Sequence, residues 1–464
     1  MAGEVATRAS KKGIWGWMLF DWAQQPYHTL IITFVFAPYF AGAVAPDPAA
    51  GQSLWGYASG IGGLIIALTS PIFGAIADAT GPRKPWVFAF SVIGAIGCWM
   101  LWYAVPGMQS FAFVMLAIVI GLIGMEFAAV FNNAMMPTLV PRAELGRLSG
   151  TAWGLGYLGG LVSLIIVLGL LAGQPGTGKT LFGIEPLFGL DAAAREGDRI
   201  SGPLTAVWYA IFLIPMFLWT PDVKRKASTT GAVARGLTEL KQTLVTLPKQ
   251  KSYFSFLMSS MIYRDALNAL YSFGGIYAAG VLGWTIVQIG IFGILANLTG
   301  AIGAWLGGLA DQKFGPKTVV SWSIVILTLS CLVIISTTKT QVLFMDAGAG
   351  EGGAASGLSN IAFYVAGALI GAAGGSIQAA SRTLLVDQVE PEKVTEAFGL
   401  YALSGRATSF IAPLAIAIAT SFFASQAGFS AEDAQRIGVT PIVVLFMLGL
   451  ALLPWVKSRA YAPA

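Results

Sequence analysis

Long apolar stretches alternate with short polar connections along the whole chain. "FAFVMLAIVIGLIGM" and "SWSIVILTLSCLVII" are two examples, each part of a longer run almost free of charge. Runs of about twenty such residues match a hydrocarbon core of roughly 30 Å. The pattern predicts twelve spans, over 14–43, 53–77, 85–105, 109–136, 148–172, 203–221, 253–281, 285–310, 317–337, 358–381, 394–423 and 440–456. Only helices and closed barrels satisfy their backbone polar groups in lipid, and runs this long and uniformly apolar read as helices. The expected fold class is all-α integral membrane.

Composition agrees. Of 464 residues 56% are hydrophobic and 11% charged, and the mean hydropathy is +0.73. A soluble domain carries about 25% charged residues. The net charge of +5 has a topological reading. Basic residues punctuate the N-terminal tail, "GPRKP", "PRAELGR", "KFGPK", the "KSR" near the C-terminus, and the segment 222–252 through Lys224, Arg225, Lys226, Arg235, Lys241, Lys249 and Lys251. Most of the 27 Lys and Arg then fall on one side, which marks the cytoplasm and puts both termini inside. No nucleic-acid partner is expected. No cleavable signal is evident in "MAGEVATRASKKG". Cys98 and Cys331 each sit in an apolar run and read as packing residues, neither disulfide nor metal ligands. With one histidine and no Cys/His grouping, neither a metal site nor an enzyme's catalytic cluster is expected.

One motif argues otherwise. "GQPGTGKT" supplies Gly173, Gly178, Lys179 and Thr180 at the spacing of a nucleotide-binding phosphate loop. It lies after the fifth span on the extracytoplasmic side, led by a helix rather than a strand, and followed by the Pro-containing "LFGIEPLFGL". It reads as a Gly/Pro turn. No nucleotide and no cofactor are expected.

The chain also repeats itself. "FDWAQQPYH" in the first span meets "RDALNALYS" in the seventh, pairing Asp21 with Asp265, Gln24 with Asn268 and Tyr27 with Tyr271. "GAIADATGPRK" returns as "GGLADQKFGPK", and "NAMMPTLVP" as "QAASRTLLVDQVEP". A duplicated six-helix unit follows: a tail over 1–13, a first bundle over 14–221, a basic linker over 222–252, a second bundle over 253–456 and a tail over 457–464. Transporters use this plan, with the substrate site near the midplane.

At "GAIADATGPRK" the resemblance becomes specific. Gly74, Asp78, Gly81, Arg83 and Lys84 resemble the loop signature between the second and third helices of the major facilitator superfamily; the second copy keeps Gly307, Asp311, Gly315 and Lys317 with one extra residue between Asp and Gly. "WGWMLFDWAQQPYHTLIITFVFAPYF", "NAMMPTLVPRAELGRLSGTAWGLGYLGG" and "SRTLLVDQVEPEKVTEAFGLYALSG" resemble the narrower vacuole effluxer-like, autophagy-related family. That resemblance implies the major facilitator fold of two pseudo-symmetric six-helix bundles, and amino-acid release of the kind known from fungal vacuoles. At the helix end the two loops are expected to act as gates that lock and release the bundles.

Charge at mid-bilayer costs roughly 2.5–3.5 kcal/mol on insertion scales, so each polar residue there asks for a reason. Asp21, Gln24, Gln25 and His28 form one stripe of the first span beside Tyr27; Asp265, Asn268 and Ser272 form the matching one on the seventh, beside Tyr271. Pro26 lacks an N–H and can break the helix. Substrate binding and interhelical packing both fit these stripes. Glu126 reads either as a proton carrier or as a counter-ion, with Asn133 two turns on. Arg264 and Arg406 are the only basic residues placed within spans, and either can clamp a carboxylate or neutralise an acid. Asn132 and Gln378 read as packing residues.

The expected function is secondary transport of a small polar solute, an amino acid or similar zwitterion, by alternating access with a proton gradient as the candidate driving force. The alternatives are export of sugars or drug-like compounds, or a transporter-shaped receptor. The expected setting is a monomer in a bacterial plasma (inner) membrane, with the lipid bilayer and a small-molecule substrate as its partners.

Overall fold

The computed structural model describes residues 8–46, 48–174, 176–224, 231–284, 286–348, 350, 353–425 and 430–458. Both tail ends, and Arg225 and Lys226 of the basic linker, lie outside the described residues. Among the described residues, eleven helical stretches are long and apolar enough to cross a membrane: Lys11–Val44, Leu54–Thr80, Lys84–Tyr103, Ala112–Thr138, Arg142–Leu171, Glu196–Trp219, Gln288–Phe314, Pro316–Ile335, Gly357–Gln388, Pro391–Phe423 and Asp433–Trp455. The helix Lys251–Val281, 31 residues long, completes the twelve as the seventh span. It is less apolar than the others because Arg264, Asp265 and Asn268 interrupt its apolar run.

Helices overrun the apolar windows read from the sequence. The sixth span starts at Glu196 rather than 203, and the tenth runs on to Gln388 rather than 381. A span therefore takes in Arg199 and Arg382, so Arg264 and Arg406 are not the only basic residues within spans. Backbone hydrogen bonding continues the helix past the apolar window, and both guanidiniums are buried, Arg199 over Trp102 and Arg382 over Trp153.

Helix ends follow local chemistry. Ser10 caps the first span, its Oγ accepting the Gly13 N–H at 3.1 Å, and Ser356 caps the tenth through the Ser359 N–H at 3.1 Å. At Pro26 the first span changes from α-helix to a π-helical stretch, Tyr27–Phe34, followed by a break at Val35. The missing proline N–H and the shift to wider turns go together. The eleventh span is also discontinuous: the helix Val394–Ala407 stops and a second begins at Ile411.

The chain divides into two compact units. One comprises residues 1–142, 155–241 and 390–403; the other comprises 143–154, 242–389 and 404–464. Each unit thus takes in one short segment from the other half of the sequence. Those segments, 390–403 and 143–154, hold the starts of the eleventh and fifth spans. Close helix approach inside the first unit runs through glycine. A side chain at Gly159 would stand 2.7 Å from the Trp22 carbonyl oxygen, and one at Gly156 would stand 3.3 Å from that of Asp21. Segment 232–246 of the basic linker is a helix, and Gly236 lets it rest on the second span, where a Cβ would lie 2.8 Å from the Ala75 carbonyl oxygen.

Candidate functional site

In the first unit the polar stripe of the first span is buried. Asp21 and Gln24 are each 7% exposed and Tyr27 is 1% exposed, with Gln25 and His28 half-buried. Gln24 donates from Nε2 to the Met125 carbonyl at 2.8 Å, tying the first span to the fourth. For Gln24, interhelical packing is the observed role. Trp17 makes a second tie, from Nε1 to the Asn132 carbonyl at 2.7 Å. The Asn132 side-chain amide, fully buried, has no hydrogen-bond partner among the described residues. The neighbouring Asn133 is half-buried and its Oδ1 is likewise unpartnered. Glu126 is half-buried on the same helix. His28 packs edge-on against Tyr27, ring centroids 5.5 Å apart, and its carbonyl accepts the Thr33 hydroxyl at 2.8 Å.

In the second unit the broken eleventh span meets the seventh. Asp265, 3% exposed, accepts the Ala412 N–H through Oδ2 at 2.9 Å, while its buried Oδ1 has no hydrogen-bond partner among the described residues. Ala412 lies in the first turn of the helix resuming at Ile411, where N–H groups lack intrahelical acceptors. The carboxylate therefore sits at the positive end of a half-helix. Arg264 is half-buried, and its guanidinium covers Gly405 closely enough that a Cβ there would stand 2.5 Å from Cζ. Arg406 is half-buried beside it in the chain. Asn268 and Ser272 are exposed, and the Ser272 hydroxyl turns back to the Asn268 carbonyl at 2.9 Å. Tyr271, 43% exposed, ends against Gly374. Asp265 thus caps the helix that resumes after the break, and Arg264 covers Gly405 just before it.

The first loop builds a tight polar knot inside the first unit. Asp78 and Arg83, each 5% exposed, form an ion pair at 3.0 Å. Asp78 also accepts the Thr395 N–H at 3.3 Å, the Thr395 hydroxyl at 2.5 Å and the Glu396 N–H at 2.8 Å. Arg83 in turn donates from Nε to the Thr395 hydroxyl oxygen at 3.1 Å. Gly74 permits this approach, since a Cβ would stand 2.6 Å from the Thr395 carbonyl oxygen. Gly81, at φ 103°, makes the turn that brings Arg83 back. Lys84 serves elsewhere: its N–H donates to Asp222 at 2.9 Å and its Nζ to the Phe217 carbonyl at 3.0 Å.

The second loop differs. Asp311 accepts the Thr383 hydroxyl at 2.5 Å through Oδ2, and its buried Oδ1 has no partner among the described residues. Gly146, in the first turn of the helix Leu145–Ile166, lies against this carboxylate, where a Cβ would stand 2.5 Å from Cγ. Gly307 packs on Ser376, and Gly315, at φ 82°, turns the chain. Lys317 reaches the Pro454 carbonyl at 3.4 Å rather than the acid. Thr395 and Arg382 escaped the sequence reading. Thr395 makes its contacts more than three hundred positions away, and Arg382 stacks on Trp153 at 4.7 Å, two segments with no motif in common.

The phosphate-loop look-alike folds as a turn. The Gln174 N–H donates to the Lys179 carbonyl at 2.8 Å, Gly176 and Gly178 hold φ of 92° and 70°, and Lys179 is exposed. Turns and a short 3-10 stretch follow it, so its amides do not open a helix as a phosphate cradle requires.

A family model described as "Vacuole effluxer Atg22 like" matches residues 43–460. The MFS-type transporter YxiO of Bacillus subtilis is 24% identical over 448 residues, 96% of this chain and 94% of YxiO. Autophagy-related protein 22-1 of Neosartorya fischeri is 21% identical over 59% of this chain, which spans only 43% of that longer protein. The major facilitator transporter FucP of E. coli, solved in an outward conformation, superposes with a TM-score of 0.66 at 16% identity, over 95% of this chain and 98% of FucP. The fold is the major facilitator fold.

Proposed function

Since the chain belongs to the vacuole effluxer Atg22-like family and has the make-up of a multi-pass MFS-type transporter, we propose that it moves a small zwitterion, an amino acid or close analogue, across the membrane by alternating access. The observation that carries this is the break in the eleventh span. There the Asp265 carboxylate caps the resuming half-helix, and the Arg264 guanidinium covers Gly405 at the end of the preceding one. Discontinuous helices place such ends at transporter binding sites. A guanidinium fits a substrate carboxylate bidentately, and an acid with one bare oxygen fits an ammonium. Asp21, Tyr27, His28, Glu126 and Asn133 supply the matching inventory in the other unit, and a proton gradient drives the cycle through Glu126 or His28.

In this proposal the loop knot at Asp78 acts as a lock. It holds the start of the eleventh span in one state, and its release accompanies the switch; the loop at Asp311 is its weaker counterpart. The setting is a plasma membrane, with both termini on the cytoplasmic side and the chain acting as a monomer.

Thermal-shift titration of the purified protein with amino acids, sugars and metal ions tests the substrate class. Stabilisation by an amino acid supports the proposal; stabilisation by sugars alone overturns it. For Arg264 holding a carboxylate, Arg264→Lys should weaken binding by about 1–3 kcal/mol while the protein still folds. Silence of Arg264→Lys together with collapse of Arg264→Gln moves Arg264 to the scaffold. Uptake into proteoliposomes should follow an imposed pH step and be untouched by Lys179→Ala.

A further inference from the structure

Two loops outside the spans present large apolar side chains to the surroundings from a backbone that disfavours them. After the ninth span, Gln341–Val342 and Met345–Asp346 pair as a hairpin with Val342 opposite Met345. The two connecting residues are Leu343 and Phe344, at φ 52° and 62°. A two-residue turn with both φ positive selects Asn-Gly, Asp-Gly or Gly-Gly, and a bulky residue there is strained. Phe344 is nevertheless 70% exposed and Met345 is 66% exposed. After the fifth span, Phe188 has φ 63° and is 91% exposed, and Phe182 is exposed nearby. Folding gains nothing from a strained residue that packs on little, so the strain points to a partner.

The position of the loops identifies it. The Phe344 N–H donates to the Ser336 carbonyl at 3.4 Å. Ser336, itself 2% exposed, follows at helical spacing the stripe Trp322, Val325, Leu329 and Leu332, all exposed along the ninth span. In a bilayer that exposed apolar stripe faces acyl chains. The other loop folds back in the same way: the Leu181 N–H donates to the Leu168 carbonyl at 2.9 Å, and Phe182 covers Gly169. Gly169 extends the exposed stripe Leu158, Val162 and Ile165 of the fifth span. By the alternation of spans both loops emerge on one side of the membrane.

We propose that these two tips are interfacial anchors that seat Phe188, Leu343 and Phe344 at the boundary between headgroups and acyl chains of that leaflet. Aromatic residues favour this depth, where an apolar ring is covered and nearby backbone stays hydrated. Two tips on separate segments fix the protein's depth in the bilayer.

Site-specific fluorescence tests this on the full chain in phosphatidylcholine–phosphatidylglycerol vesicles. Native Cys98 and Cys331 are buried, and replacing both by Ala gives a clean background. Phe188→Cys, Phe344→Cys and, as reference, Thr177→Cys on the exposed polar turn are each labelled with an environment-sensitive dye. A nitroxide carried near the top of the lipid chains should quench the 188 and 344 probes about threefold more than the 177 probe, and aqueous iodide about threefold less. Equal iodide quenching at all three positions overturns the proposal. Cross-linking of the 344 cysteines between two copies, with no nitroxide quenching, also overturns it by making a second chain the partner. The double substitution Leu343→Asn with Phe344→Gly keeps the fold readable. It should hold or raise the melting temperature in detergent, and a fall would show that the apolar tip serves the fold instead.

Discussion

Asp78 and Asp311 stand at matching places in the two halves, each at the end of a span and just before a Gly-Pro pair. The first ties an arginine, a threonine hydroxyl and two backbone N–H groups into one buried knot. The second has a single threonine hydroxyl and a bare oxygen. Register explains the difference. Arg83 comes five residues after Asp78, but the extra residue before Gly315 puts Pro316 five residues after Asp311. No guanidinium is available at the position from which the turn points back. One residue gained before glycine and one arginine lost after proline separate an ion-paired lock from a lone hydroxyl contact, and the spacing from each Asp to its following Lys stays the same.

The comparison breaks first at Asp78. Asp78→Asn strands a buried guanidinium and weakens both helix-start hydrogen bonds. A cost on the order of 3–5 kcal/mol is expected, read as a large fall in melting temperature. Arg83→Gln in the same background should recover part of the loss, because the stranded charge is gone. An Asp78→Asn protein as stable as the parent would mean that the ion pair contributes nothing.

The glycines should behave alike where the acids do not. Gly74 meets the Thr395 carbonyl oxygen, and Gly307 meets Ser376 with a Cβ only 2.6 Å from its Oγ. Gly74→Ala and Gly307→Ala each force backbones apart, at about 1–3 kcal/mol apiece. Melting temperatures of the two variants should fall by similar amounts. A silent Gly307→Ala would extend the asymmetry from the acids to the packing.

How much of this the sequence carried depends on the range of each interaction. The spans were legible because hydropathy is local, and so were Asp78 and Arg83, five residues apart on one turn. Thr395 and Glu396 were not, since nothing in "EKVTEAF" states that its first N–H groups will meet Asp78. The break after Ala407 escaped for a different reason: "GRATSFIAPLA" reads as one apolar-polar helix, and its interruption is matched by Asp265 on another span. Pro26 was legible as a disturbance, but not as the start of a π-helical stretch. Arg382 lies past the end of the apolar window yet inside the helix, which continues to Gln388.

A smaller effect is expected at Asp311. Asp311→Asn leaves an acceptor for the Thr383 hydroxyl and strands no cation, because none of the described Lys or Arg pairs with it. The cost should be about 1 kcal/mol or less. A loss as large as that of Asp78→Asn would show that the second loop is held by charge after all.

The smallest direct effect, and the sharpest test, comes from moving the register. Replacing "QKFGPK" at 312–317 by the "ATGPRK" of 79–84 keeps the loop length, moves glycine one place nearer Asp311 and puts an arginine at the fifth place after it. A new buried ion pair gains attraction and loses hydration in nearly equal measure, so the transplant alone should change stability by no more than about 1 kcal/mol. Its consequence appears on adding Asp311→Asn. In the parent loop that substitution leaves no cation behind; in the transplanted loop it leaves a guanidinium facing a buried amide. The cost of Asp311→Asn should therefore rise from about 1 kcal/mol toward the 3–5 kcal/mol of the first loop, and the difference is the coupling energy of the cycle. Melting temperatures of the four proteins measure it. If Asp311→Asn stays cheap in the transplanted loop, register is not what separates the two acids, and the contrast lies in Thr395 and the helix it begins.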